Sequence, residues 1–154
     1  MSVLGELQPN KVFKYFEEIC SIPHGSNNLK QISDYLVDFA KAHELKYRQD
    51  EDLNVIIWKD GSKGYEASEP VILQGHMDMV AVKEADCDKD MEKEGLDLEI
   101  NGDYISAKGT SLGGDDGIAV AYTLAVLDDE EMAHPPIEAI FTVNEEIGML
   151  GAAT

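Results

Sequence analysis

Three short motifs combine residues that can hold a cation with residues that can move a proton. They are Gly75-His76-Met77-Asp78, Gly113-Gly114-Asp115-Asp116-Gly117 and Asn144-Glu145-Glu146-Ile147-Gly148. The first follows the apolar run Val71-Ile72-Leu73 and the third follows Ile137 to Val143, both β-like; the second opens the apolar stretch Ile118 to Leu127. In an open α/β sheet, residues just past the carboxyl ends of strands line the crevice where ligands bind. A neutral imidazole converging there with several carboxylates is a ligand set for zinc, manganese or cobalt. Without a cation, clustered carboxylates repel and raise one another's pKa. These residues imply metal-assisted hydrolysis.

Each motif has its own mechanical reading. In His76-Met77-Asp78 the imidazole can ligate a metal through one nitrogen while the Asp78 carboxylate orients the other N–H. The small residues from Gly109 to Gly117 let backbone approach closely, so that Asp115 can reach an ion between the two strands. The loop lacks the Gly-Lys-Ser/Thr ending of a phosphate-binding loop, and its carboxylates would repel phosphate. Of the pair Glu145-Glu146, one carboxylate can ligate while its neighbour takes a proton from water. Met79 and Met149 read as packing residues. His43 and His134 read as structural or solvent-exposed, whereas His24 lies in a turn-rich connector, Ser21 to Ser26, with a more open role.

The elements that must position these motifs are legible from periodicity. Val12, Phe13, Phe16 and Ile19 predict a helix over Asn10 to Ile22, stopped by Pro23. Leu29, Ile32, Leu36, Phe39 and Ala40 share one face of a second helix. Strands are predicted over Leu45 to Gln49, Leu53 to Trp58, Pro70 to Gly75 and Ile137 to Val143. A polar loop spans residues 81 to 97, and Asn101-Gly102 predicts the turn of a hairpin. Asp115 or Asp116 starts a helix to about Leu127, with acidic residues at its positive end. Met149 to Thr154 reads as the first turn of another helix. The strand–helix–strand order predicts an α/β fold with a mixed or largely parallel sheet flanked by helices.

Bulk properties narrow the function. The chain has 154 residues, 12 basic against 31 acidic, for a net charge of −19. Such a field repels phosphate backbones, so no nucleic-acid partner is expected. The acidic stretches Glu84 to Glu99 and Asp128 to Glu131 read as solvated surface. Cys20 lies on an apolar helix face and Cys87 in an acidic loop, with no disulfide framework. No secretory signal or membrane-length apolar run is visible, so a cytoplasmic protein with no membrane partner is expected.

Taken jointly, Ser21 to Ser26, Gln74 to Val80, Ala107 to Ile118 and Thr142 to Gly148 resemble the aminoacylase and carboxypeptidase G type of zinc peptidase. More narrowly, they resemble the bacterial aminoacyl-histidine dipeptidases. Gly109-Thr110-Ser111-Leu112-Gly113-Gly114-Asp115-Asp116-Gly117 separates that branch from the deacetylases of the superfamily. The resemblance implies hydrolysis of Xaa-His dipeptides by water activated by two divalent ions, zinc foremost, with manganese or cobalt as other occupants. It implies His76, Asp115 and Glu146 as metal ligands, Asp115 bridging, Asp78 orienting His76 and Glu145 as general base. It places Asp116 outside the ligand set, with a cis peptide between Asp115 and Asp116. An N-acyl amino-acid deacylase, a tripeptidase or a non-catalytic remnant are the alternatives. The family's further acidic ligand, distal histidine and lid or dimerisation domain find no counterpart in residues 1–154. The chain is therefore expected to be the N-terminal part of a zinc-peptidase catalytic domain, inactive alone, from an enzyme that forms a homodimer and takes a small peptide substrate.

Overall fold

The computed structural model describes residues 2–153. Helix α1 (Asn10–Cys20) buries Val12, Tyr15, Phe16, Ile19 and Cys20, and α2 (Lys30–Ala42) buries Ile32, Leu36, Phe39 and Ala40. Four strands form one sheet: β1 (Lys46–Gln49), β2 (Val55–Lys59), β3 (Val71–His76) and β6 (Ile137–Thr142). Their order is β1-β2-β6-β3. The first two pairings are antiparallel, and β3 runs parallel to β6. The sheet is therefore mixed, with its only parallel pair among the described residues formed by the two strands that carry the first and third motifs. Between them lie a separate hairpin of β4 (Leu98–Asn101) and β5 (Tyr104–Ala107), and helix α3 (Gly114–Leu127).

Register explains how the sheet meets the helices. Gln49, Val55, Phe141 and Gly75 form one cross-strand row, and their side of the sheet also carries Ile57 and Ala139. Ser33 of α2 accepts a hydrogen bond from Gln49 on this face. A Cβ on Gly75 would sit 3.5 Å from Ala119 and 3.6 Å from Val120 of α3. Both helices thus cover the same face, and Val55, Ile57, Ala139 and Phe141 beneath them are fully buried. Helix α1 packs outside α3, where the missing side chain of Gly117 admits the Phe16 ring. Helix α3 is apolar nearly all round because it is held between α1 and the sheet. The opposite face, with Arg48, Ile56, Ile140 and Gln74 in one row, is only partly covered and floors a cavity of about 550 Å³.

Several local expectations shift. Helix α1 ends at Cys20 with Ser21 as its cap, before Ile22. The hairpin turn is Gly102-Asp103, since Asn101 pairs with Tyr104; the glycine, at φ 62°, takes the first turn position. Met149 does not open an α-helix: it has φ 55°, and a short 3₁₀ turn, Gly151–Ala153, follows. Thr154 lies outside the described residues. Met149 is also exposed rather than packed, whereas Met79 is buried. His43 caps α2 and stacks on Phe39 with ring centroids 4.3 Å apart. His134 is buried and bound to Ser62 through main-chain and hydroxyl contacts. Cys20 is buried, which pushes its thiol up to about 12.

Candidate metal centre

His76 ends β3 on the less covered face, yet only 7% of it is exposed. Its Nδ1 lies 2.9 Å from the main-chain oxygen of Asp78. A carbonyl only accepts, so Nδ1 carries the hydrogen and Nε2 is the atom offered to the site. Nε2 faces Asp115 Oδ1 at 3.2 Å and Glu145 Oε2 at 3.8 Å. Burial pushes the imidazole pKa down, but the Asp78 carbonyl and the surrounding carboxylates outweigh it, and the net direction is upward.

The second motif arrives from the start of α3. Gly113 has φ 69°, and a Cβ there would come within 2.9 Å of the Met79 sulfur, so the loop can seat only with glycine. The peptide between Asp115 and Asp116 is cis, as the resemblance implies. The two aspartates diverge. The Asp115 side chain, 88% exposed, points to the imidazole. Asp116 Oδ2 accepts the main-chain N–H of His76 at 3.2 Å and so fixes the strand end. Burial raises the Asp116 pKa, opposed by the contact with His76 and aided by Asp115 and Glu145.

The third motif is a turn beyond β6. Asn54 Oδ1 accepts the Val143 N–H, and Gly148 and Met149 return N–H groups to the Glu145 carbonyl. Asp78 lies directly beneath. Its Oδ1 accepts the Glu145 N–H at 3.0 Å and its Oδ2 the Glu146 N–H at 3.3 Å. The expected contact between the Asp78 carboxylate and His76 is long, 3.5 Å from Nδ1. The residue orients the imidazole through its main chain, while its carboxylate holds the Glu145-Glu146 turn.

His76, Asp115 and Glu146 each offer one ligand atom, and these atoms all lie within 4.8 Å of one another. The site thus brings together His76, Asp78, Asp115, Glu145 and Glu146. The donor chemistry, a neutral nitrogen with carboxylate oxygens, fits a divalent cation of the zinc, manganese or cobalt kind. His24 stays outside the cluster: it is buried against the Ile22 carbonyl, and burial lowers its pKa despite that contact and the charge of Asp78. Ser26 and Asn144, which bind the site's framework, were not legible as site residues, because their contacts cross long stretches of chain.

An α/β domain with this cluster beyond two adjacent parallel strands shares its fold with the corresponding part of solved peptidases. No family model matches the chain. It is 41% identical over 152 residues, 99% of its length, to the cytosol non-specific dipeptidase of Escherichia coli strain K12, and covers 31% of that protein. The crystal structure of aminoacylhistidine dipeptidase from Vibrio alginolyticus matches with a TM-score of 0.95 and 40% identity, over 98% of this chain and 31% of that one. A Staphylococcus aureus tripeptidase structure matches with a TM-score of 0.76 and 25% identity, over 97% of this chain and 40% of that one. The resemblance carried by the motifs therefore extends along the whole chain, which spans about a third of the length of these dipeptidases. Among the described residues no helix is long and apolar enough to cross a membrane.

Proposed function

We propose that the chain supplies the N-terminal part of a metallo-dipeptidase catalytic domain, acting in the cytoplasm on Xaa-His dipeptides. The observation that carries this reading is the convergence of His76, Asp115 and Glu146 donors within 4.8 Å. The names of both relatives support dipeptides as the substrate class, and that of the Vibrio alginolyticus structure alone supports the Xaa-His type. His76 would hold one divalent ion, Glu146 a second, and Asp115 both; zinc is the first candidate, then manganese or cobalt. Such ions, when bound, polarise a scissile carbonyl and acidify water. Glu145 does the proton work. Its side chain is 39% exposed and reaches within 3.8 Å of His76 Nε2, so it borders the ligand atoms while open to substrate. It takes a proton from the attacking water and delivers it to the departing amine. Asp78 holds the Glu145 main chain, which limits where that carboxylate can go.

Ligand counting sets the limit. A catalytic zinc takes three or more protein ligands, whereas this cluster offers three residues for two ions. Turnover is therefore expected to need further ligands from a complementary polypeptide; for the complete enzyme the family resemblance, not the ligand count, implies a homodimer. The test is hydrolysis of an Xaa-His dipeptide with added zinc or manganese. The assay compares the 154-residue chain alone with the chain mixed with the remaining two thirds of such a dipeptidase. Negligible turnover alone, restored by the complement and reduced about 10²–10⁴-fold by Glu145→Ala, is expected. Robust turnover by the chain alone would refute the need for a complement, and restored turnover that survives Glu145→Ala would remove the assigned base.

A further inference from the structure

The connector between α1 and α2 lies against the metal centre and has no part in the ligand set. Gly25 pairs with Met79 as an isolated parallel bridge, continuing the sheet's pattern beyond β3. Met79 N–H donates to the His24 carbonyl at 3.1 Å and Ser26 N–H to the Met79 carbonyl at 3.2 Å. A Cβ on Gly25 would meet that of Ala81 at 2.7 Å, so glycine permits the approach. Two further bonds reach the site's framework. Ser26 Oγ donates to Asp78 Oδ2 at 2.8 Å, and Asn27 N–H donates to Asn144 Oδ1 at 2.8 Å.

We propose that Ser26 is a positioning residue of the metal centre: its hydroxyl orients the Asp78 carboxylate and, through it, the main chain that carries Glu145 and Glu146. The inference rests on the reading of the cluster as a divalent-ion site. Asp78 is 1% exposed, so its charge must be met by donors inside the protein. Oδ1 has the Glu145 N–H at 3.0 Å, whereas Oδ2 has Ser26 Oγ at 2.8 Å and the Glu146 N–H at 3.3 Å. Of the two contacts on Oδ2, the serine is the shorter. Without it the carboxylate can rotate away from Glu146 while keeping Glu145. The defect should thus fall on the metal-ligating member of the pair more than on its neighbour.

The test uses the whole 154-residue chain and Co²⁺, whose visible absorption reports coordination. Ser26→Ala is expected to weaken Co²⁺ binding about 10-fold and alter the absorption band, with the circular dichroism of the metal-free chain unchanged. Ser26→Thr, which keeps the hydroxyl, is expected to bind like the wild type. In an Asp78→Asn background, Ser26→Ala is expected to add little, because the two side chains act as one unit. Wild-type affinity and spectrum in Ser26→Ala would overturn the proposal. So would a loss that adds in full to that of Asp78→Asn, or one that tracks a lowered unfolding temperature of the metal-free variant without a spectral change. If the wild-type chain binds no Co²⁺ even with the complementary polypeptide present, and His76→Ala behaves identically, the metal-site reading itself falls, and this inference with it.

Discussion

The two halves of the candidate metal centre are built differently. On one side His76 and Asp78 are buried, and the contacts of the Asp78 carboxylate come from the connector, from His76 at the end of β3 and from the turn after β6. On the other, Asp115 projects from the start of α3 with 88% of its side chain in solvent, and among the described residues its carboxylate is hydrogen-bonded to the site through His76. A fixed half defines where an ion can sit before it arrives. An exposed half adds charge without adding rigidity. Preorganisation in this protein therefore resides in the residues that do not all touch the ion.

That contrast can be broken by mutation. Asp78→Ala should have the largest effect, because it strands the Glu145 and Glu146 N–H groups and the Ser26 hydroxyl at once. A loss of about 3 kcal/mol in urea unfolding is expected, together with a 10–100-fold loss of metal affinity by calorimetry. Asp115→Asn should separate the two quantities. At so exposed a position, stability should stay within about 0.5 kcal/mol of the wild type, while metal affinity falls at least tenfold. Equal destabilisation by the two variants would erase the distinction between the halves.

The smallest effect is a pH dependence. His76 has a raised pKa in the metal-free chain, and a cation must displace its proton. Metal affinity should therefore fall about tenfold per unit below that raised value and level off above it. Stability of the metal-free chain runs the other way. A raised folded-state pKa contributes stability that is present below the unfolded value, ordinarily about 6.5, and lost as pH rises through the folded one. Calorimetric titrations and metal-free melts across this window should show opposite slopes; parallel slopes would mean that His76 is not the displaced group.

Much of this organisation was legible in the residues. The buried faces of α1 and α2 follow from their apolar spacing, and the placement of three motifs at strand and helix ends follows from the runs beside them. What escaped was anything set by contacts across the fold. Nothing local tells that Asp78 turns its carboxylate to residues 67 and 68 positions away while its carbonyl serves His76. The hairpin turn slipped by one residue because Asn-Gly is a strong signal, yet here the glycine occupies the first turn position and pairs Asn101 with Tyr104. The expected final helix failed at Met149, whose left-handed backbone belongs to the turn that presents Glu145.

The parallel pairing of β3 with β6 has a kinetic consequence. His76 and Asp115 stand 39 residues apart, and Glu146 becomes their neighbour only after β6 has joined β3. Closing such long loops is slow relative to forming α1 or α2. Completion of the ion site after the folding barrier predicts that a divalent cation slows the chain's unfolding and leaves its refolding rate nearly unchanged, whereas refolding accelerated by the cation would place the β3–β6 pairing and the site in the transition state.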